Sequence, residues 1–148
     1  MKEALVKQHI IQSSTAAFKE LGFEKVTMDD IAKAANKGRS TLYYYFKNKY
    51  EVFEHVAELE YLSIIEPAKT AIQASQSLEE NLKLYNEFKL KSLISKTTAY
   101  TFLLEDIRQN INLAYYIFRK LRHIETAIFE NMLNWALDKK EITAISPE

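Results

Sequence analysis

The chain has 148 residues, 47% of them hydrophobic, with 20 Lys+Arg against 20 Asp+Glu and no cysteine. That length holds one domain or two small ones around a packed core, and the missing thiols exclude a disulfide framework, a thiol nucleophile and a Cys-based metal site. With two glycines and two prolines there is little punctuation for strands, while apolar residues recur at i, i+3 and i+4. The pattern predicts an all-α protein.

The first residues, M-K-E-A-L-V-K-Q-H, are charged and lack the apolar centre of a signal peptide. No run approaches the roughly 18 apolar residues of a membrane span. A soluble, cytoplasmic protein with no membrane partner is expected. The spacing predicts a first helix over residues 2–21, with Ile10, Ser14, Ala17, Phe18 and Leu21 on one face and Gly22 as its stop.

Thr27 opens a second helix of about two turns. Its hydroxyl is placed to cap the Asp30 amide, and Ile31, Ala32 and Ala35 form the buried face. Asn36-Lys37-Gly38 reads as a turn, because Asn tolerates the left-handed conformation and Gly38 frees the chain. A third helix follows over residues 39–45. At 1.5 Å per residue it is about 10 Å long, a fit for a major groove about 12 Å wide. Leu42 and Phe46 point inward, and Arg39, Ser40, Thr41, Tyr44 and Tyr45 lie on or near the outer face. Helix, tight turn and helix make a helix-turn-helix.

Charge supports that reading. No acidic residue stands between Asp30 and Glu51, whereas Lys37, Arg39, Lys47 and Lys49 fall there beside Tyr43-Tyr44-Tyr45. Residues 1–53 carry nine Lys/Arg and six Asp/Glu; the remainder carries eleven and fourteen. Ammonium and guanidinium groups displace the counterions of nucleic-acid phosphate, and phenols donate to its oxygens.

A fourth helix starts at Asn48, with Glu51 completing a capping box, and Pro67 is expected to kink or end it. Ser77-Leu78-Glu79-Glu80 is a second box, opening a helix over residues 78–96. Two more helices are expected over about 99–109 and 112–139. The last carries Ile117, Leu121, Ile124, Ile128 and Trp135 on one face and Tyr115, Tyr116, Phe118 and Phe129 beside it. An apolar arc that wide packs on more than one side. Three separate histidines and no Ser/His/Asp grouping give no catalytic or metal constellation, so neither an enzyme nor a cofactor is expected.

The run T-M-D-D-I-A-K-A-A-N-K-G-R-S-T-L-Y-Y-Y-F-K-N-K, preceded by A-A-F-K-E-L-G-F, resembles the N-terminal DNA-binding domain of TetR/AcrR-type transcriptional regulators over about residues 5–55. Two departures stand in the turn: Asn36 and Lys37 replace the usual glycine and apolar residue, and Gly38 replaces the serine that often caps the recognition helix. The resemblance implies a three-helix head (1–48) and a helical-bundle body (49–148) for ligand binding and dimerisation. It implies base contacts from Arg39, Ser40, Thr41 and Tyr44 and phosphate contacts from Thr27, Lys37, Tyr43, Tyr45 and Lys49.

The implied function is a one-component regulator, a repressor released by a small effector and acting as a homodimer on a near-palindromic DNA operator. The alternative keeps the DNA-binding head and makes the body a protein-interaction module, an organiser of chromosome or division proteins. Family members hold a ligand cavity in the body. Tyr61, Tyr85, Tyr100, Tyr115 and Tyr116, with Asn86 and Gln109, suit an apolar or aromatic effector, although each also fits an ordinary core or rim position. His123, within R-K-L-R-H, reads as a surface residue. The resemblance further implies two more helices beyond the last one here; without them dimerisation is expected to fall to the long last helix, with Ile128 in the interface.

Overall fold

In the computed structural model, residues 2–96 and 101–143 are described, apart from the side chains of Thr101 and Leu103. Among these residues the order is α1 (Lys2–Leu21), α2 (Met28–Ala34), α3 (Arg39–Tyr45), α4 (Lys49–Ala71), α5 (Leu78–Lys96), α6 (Thr101–Gln109) and α7 (Ile111–Asp138). There is no strand among them. The all-α reading and the helix-turn-helix followed by a helical body stand as expected.

The compact units do not follow the sequence boundary between residues 48 and 49. One unit is Met1–Glu60 with Ala99–Lys120, and the other is Tyr61–Thr98 with Leu121–Glu148. The reason lies in α6, which packs on α1. That pairing joins residues far apart in sequence, so the packing units differ from the linear boundary.

In the first unit Ile10, Phe18, Phe23, Ile31, Leu42, Phe46 and Phe53 are buried to 1% exposure or less. Burying each such side chain stabilises the fold by about 1.5–3 kcal/mol. Phe53 meets Phe18 edge-on at 4.8 Å and Phe23 at 5.0 Å between ring centres. Leu21, expected on the inner face, is exposed. The chain turns at Gly22, whose φ of 77° suits a residue without Cβ, and Phe23 fills the core instead. Ser14, buried in the middle of α1, donates to the Ile10 carbonyl at 2.6 Å and leaves no orphaned hydroxyl.

In the second unit Ile65, Ala68, Tyr85, Ile128 and Met132 form the core, with Leu82, Phe129 and Trp135 packed around them. Pro67 neither ends α4 nor leaves a carbonyl unpaired. The helix runs on to Ala71. Proline lacks the N–H that would bond the carbonyl four residues back, that of Ser63. Lys96 Nζ donates to that carbonyl at 2.7 Å and to Ser63 Oγ at 2.9 Å. Ile128 belongs to this core at 6% exposure, which corrects its expected place on a surface stripe. The exposed apolar positions of α7 are Ile111, Tyr115, Tyr116, Phe118, Leu133 and Leu137.

Candidate nucleic-acid interface

Local chemistry sets the three short segments of the head. Thr27 Oγ1 accepts the Asp30 amide at 3.2 Å, and the Asp30 carboxylate accepts the Thr27 amide at 2.9 Å, closing a capping box around the start of α2. The Thr27 hydroxyl also donates to that carboxylate at 2.6 Å. These bonds, the hydroxyl first, hold the Asp30 carboxyl below its ordinary range. Both donors of Thr27 are therefore engaged inside the head, where the resemblance implies a phosphate contact.

The turn behaves as its residues dictate. Asn36 takes a φ of 50°, and Gly38 caps α3 in extended conformation without a side-chain bond. His9 Nε2 donates to the Ala35 carbonyl at 3.1 Å, so α1 secures the end of α2 directly. After α3, Asn48 Oδ1 accepts the Glu51 amide at 3.1 Å. The return bond of the expected box goes one residue further back, with the Lys47 amide donating to Glu51 Oε2 at 2.6 Å.

With Leu42 and Phe46 buried, α3 presents Arg39, Ser40, Tyr43 and Tyr44 to solvent, Thr41 and Tyr45 partly so, and Lys37 stands exposed before it. Tyr44, 71% exposed, is the most open of the three tyrosines. Its ring meets Tyr45 edge-on at 4.9 Å. The Arg39 guanidinium lies 5.6 Å from the Tyr43 ring centre and pairs with Asp29 at 3.4 Å. At that exposure the pair contributes little and leaves the side chain available for a ligand.

Two contacts were not legible in the sequence. Tyr44 donates to Glu3 Oε1 at 3.1 Å from 41 residues away, and that bond raises the phenol's pKa. Lys49 Nζ donates to the carbonyls of Phe23 at 2.7 Å and Glu24 at 3.0 Å, and sits 4.6 Å from the Phe23 ring centre. The same turn is held from its other side. The Phe23 amide donates to Asp106 Oδ2 at 2.9 Å, and Asn110 Nδ2 donates to Glu24 Oε1 at 3.0 Å. Burial pushes the Asp106 carboxyl up, partly offset by the Phe23 amide.

The comparisons fit this geometry. Residues 10–56 match the family model of bacterial regulatory proteins, tetR family. Residues 10–56 are thus similar to TetR-family heads. The chain is 34% identical, over 76 residues, to the uncharacterized HTH-type transcriptional regulator YhgD of Bacillus subtilis (strain 168), a match spanning 51% of this chain and 40% of that one. It is 36% identical over 53 residues to IcaR, the HTH-type negative transcriptional regulator of the biofilm operon icaADBC in Staphylococcus epidermidis. That match covers 36% of this chain and 29% of IcaR. The match to each of these relatives thus spans less than half of its length. The crystal structure of the TetR family regulator PfmR from Thermus thermophilus aligns over 93% of this chain and 75% of its own, at a TM-score of 0.53 and 19% identity. That likeness is one of fold and extends past the TetR head into the body.

The effector candidates are distributed over both units. Tyr85 is buried in the second unit, and its hydroxyl donates to Glu125 Oε1 at 3.0 Å. Lys89 Nζ pairs with the same oxygen and lies 5.8 Å from the Tyr61 ring centre. Burial and then the Glu125 carboxylate push both phenols far above their ordinary range. Burial also pushes Glu125 up, but the bonds from Lys89, Tyr61 and Tyr85 outweigh it and hold the carboxyl below its usual value.

Asn86 donates to the Leu82 carbonyl of its own helix, and Gln109 to Glu105. Tyr115 and Tyr116 lie exposed in the first unit, and Tyr100 is outside the described residues. A cleft of about 610 Å³ in the first unit, lined by Asn48, Tyr50, Glu51, Glu54, Asn112, Tyr116 and Arg119, includes Tyr116 alone of that set. Among the described residues no His, Asp and Glu side chains group as metal ligands would, and no helix is long and apolar enough to cross a membrane.

Proposed function

We propose that the chain is a one-component transcriptional regulator, a repressor whose dimer binds a near-palindromic duplex and is released by a small apolar or aromatic effector. The observation that carries this reading is the outer face of α3. It is open, and α3 itself carries no acidic residue, although Asp29 reaches Arg39 and Glu3 reaches Tyr44. It is braced from behind by buried Leu42 and Phe46, and it lies in a segment that matches TetR heads. Arg39, Ser40, Thr41 and Tyr44 face bases in this reading. Lys37, Tyr43, Tyr45 and Lys49 face phosphates. Thr27 first has to release its hydroxyl from Asp30 before it can join them.

A recognition helix of seven residues reads only a few base pairs, so two heads about 34 Å or a multiple apart are needed for specificity. The named relatives are transcriptional regulators, which favours this reading over a body devoted to protein partners. The reading places the protein in the cytoplasm and assigns it no catalysis. Selection of bound duplexes from a random pool tests it: enrichment of a two-fold symmetric site is expected, and recovery of no preferred sequence at low salt would overturn it. Among effector candidates, the Tyr61–Tyr85–Glu125 cluster of the second unit is the part of the body that combines aromatic walls with a polar group.

A further inference from the structure

The turn between α1 and α2 is gripped at one residue from two directions. Phe23 gives its amide to Asp106 on α6 and its carbonyl to Lys49 at the start of α4. Gly22 supplies the φ of 77° that turns the chain into this contact, a conformation that side chains disfavour. An ammonium group has three donors. Two of those on Lys49 go to the Phe23 and Glu24 carbonyls, so one N–H remains on a group already fixed in place. A lysine held this way has lost most of its rotamer freedom before any ligand arrives, and binding then orders less.

We infer that Asp106 and its neighbour Asn110, which lie outside the helix-turn-helix, are positioning residues for DNA binding: they fix the α1–α2 turn, whose carbonyls hold the Lys49 ammonium ready for a backbone phosphate. The inference rests on the DNA-binding reading above and deepens it. It also makes a prediction opposite in sign to simple electrostatics. Removing a carboxylate near a polyanion should strengthen binding, whereas Asp106→Ala is expected to weaken it.

The test measures duplex affinity of the full chain against salt for the wild type, Asp106→Ala, Asp106→Asn, Lys49→Ala and the Asp106→Ala/Lys49→Ala double variant. Thermal melts accompany each to establish that the head is folded. Losing one phosphate contact lowers the slope of log K against log salt by about 0.9 per head. Asp106→Ala should show that loss and weaken binding by roughly three- to tenfold at moderate salt. Asp106→Asn keeps an oxygen for the Phe23 amide and should stay within about twofold of wild type.

In the Lys49→Ala background, Asp106→Ala should change nothing further. An unchanged slope in Asp106→Ala, or the same loss with and without Lys49, overturns the inference. If Asp106→Ala fails to fold, Asp106→Asn decides by itself, and tighter binding by that variant overturns the inference. A wild-type chain with no salt-dependent duplex binding would instead overturn the reading beneath it.

Discussion

The two compact units both hold backbone with side chains, but in the second tyrosines and a lysine also gather on one partly buried carboxylate. In the first, side chains reach backbone: His9 to the Ala35 carbonyl, Lys49 to those of Phe23 and Glu24, and Asp106 to the Phe23 amide. Each bond pins a turn or a helix end, and turns are what aim a recognition helix. The second pins backbone too, with Asn81 on the Gln73 carbonyl and Lys96 on that of Ser63, and adds a side-chain cluster in which Tyr85 and Lys89 gather on Glu125. That cluster fixes the interior of a bundle and no turn. The first unit thus frames α3 through its turns, and the second holds a polar centre among aromatic side chains.

The largest test of that contrast is the aromatic core of the first unit. Phe53→Ala removes both edge-on contacts and should cost about 3–5 kcal/mol of stability by urea unfolding. Loss of duplex binding should accompany it. The contrast would fail if the head kept its α3 geometry, and its affinity, without that ring.

Arg39→Ala should cost about 1–3 kcal/mol at the preferred duplex and relax choice at one position per half-site, with the melting temperature nearly unchanged. The Asp29 pair is too exposed for its loss to unfold the head. A uniform loss across all sequences would move Arg39 to the phosphate group.

Glu125→Ala should destabilise the second unit by about 1–2 kcal/mol, since it strips a shared acceptor from Tyr85 and Lys89. Acid gives the same comparison without mutation. The Glu125 carboxyl is depressed below its ordinary 4.5, so its contribution is complete above about that pH and is lost as pH falls through the lower folded value. Burial, then Lys120 and Lys7, depress His55 in the first unit below 6.5. The unfolded chain there takes up its proton first, and stability present above 6.5 declines as pH falls below it. The first unit should therefore soften at milder acidity than the second. Amide exchange resolved by residue checks this, with Trp135, the one tryptophan, as a fluorescent reporter of the second unit.

The smallest effect is expected at Pro67. Lys96→Met leaves the Ser63 carbonyl without its ammonium donor and should cost about 1 kcal/mol, read as faster amide exchange around residues 63–70. A Pro67→Ala change in the same background should recover part of it, because the helix regains its own N–H. No recovery would mean that Lys96 acts elsewhere.

The features legible in the chain were local ones. Periodicity and caps placed the helices to within a few residues, with α3 at Arg39–Tyr45 and α5 at Leu78–Lys96 as expected. Asn36 and Gly38 announced the turn because their backbone preferences act at their own positions. The outer face of α3 was legible for the same reason: a helix seven residues long with Leu42 inward leaves the remaining side chains outward.

Tertiary structure alone decided the partners that lie far apart in the chain. Nothing near Asp106 indicates that it meets Phe23, nor anything near Glu3 that it meets Tyr44. Pro67 looked like a stop because the sequence shows the missing N–H and not the distant Lys96 that serves the abandoned carbonyl. Ile128 looked like surplus apolar surface because period alone does not reveal how many neighbours surround a helix. Backbone preference is a property of a few adjacent residues, whereas the satisfaction of a buried polar group depends on which distant segment the fold brings within about 3 Å.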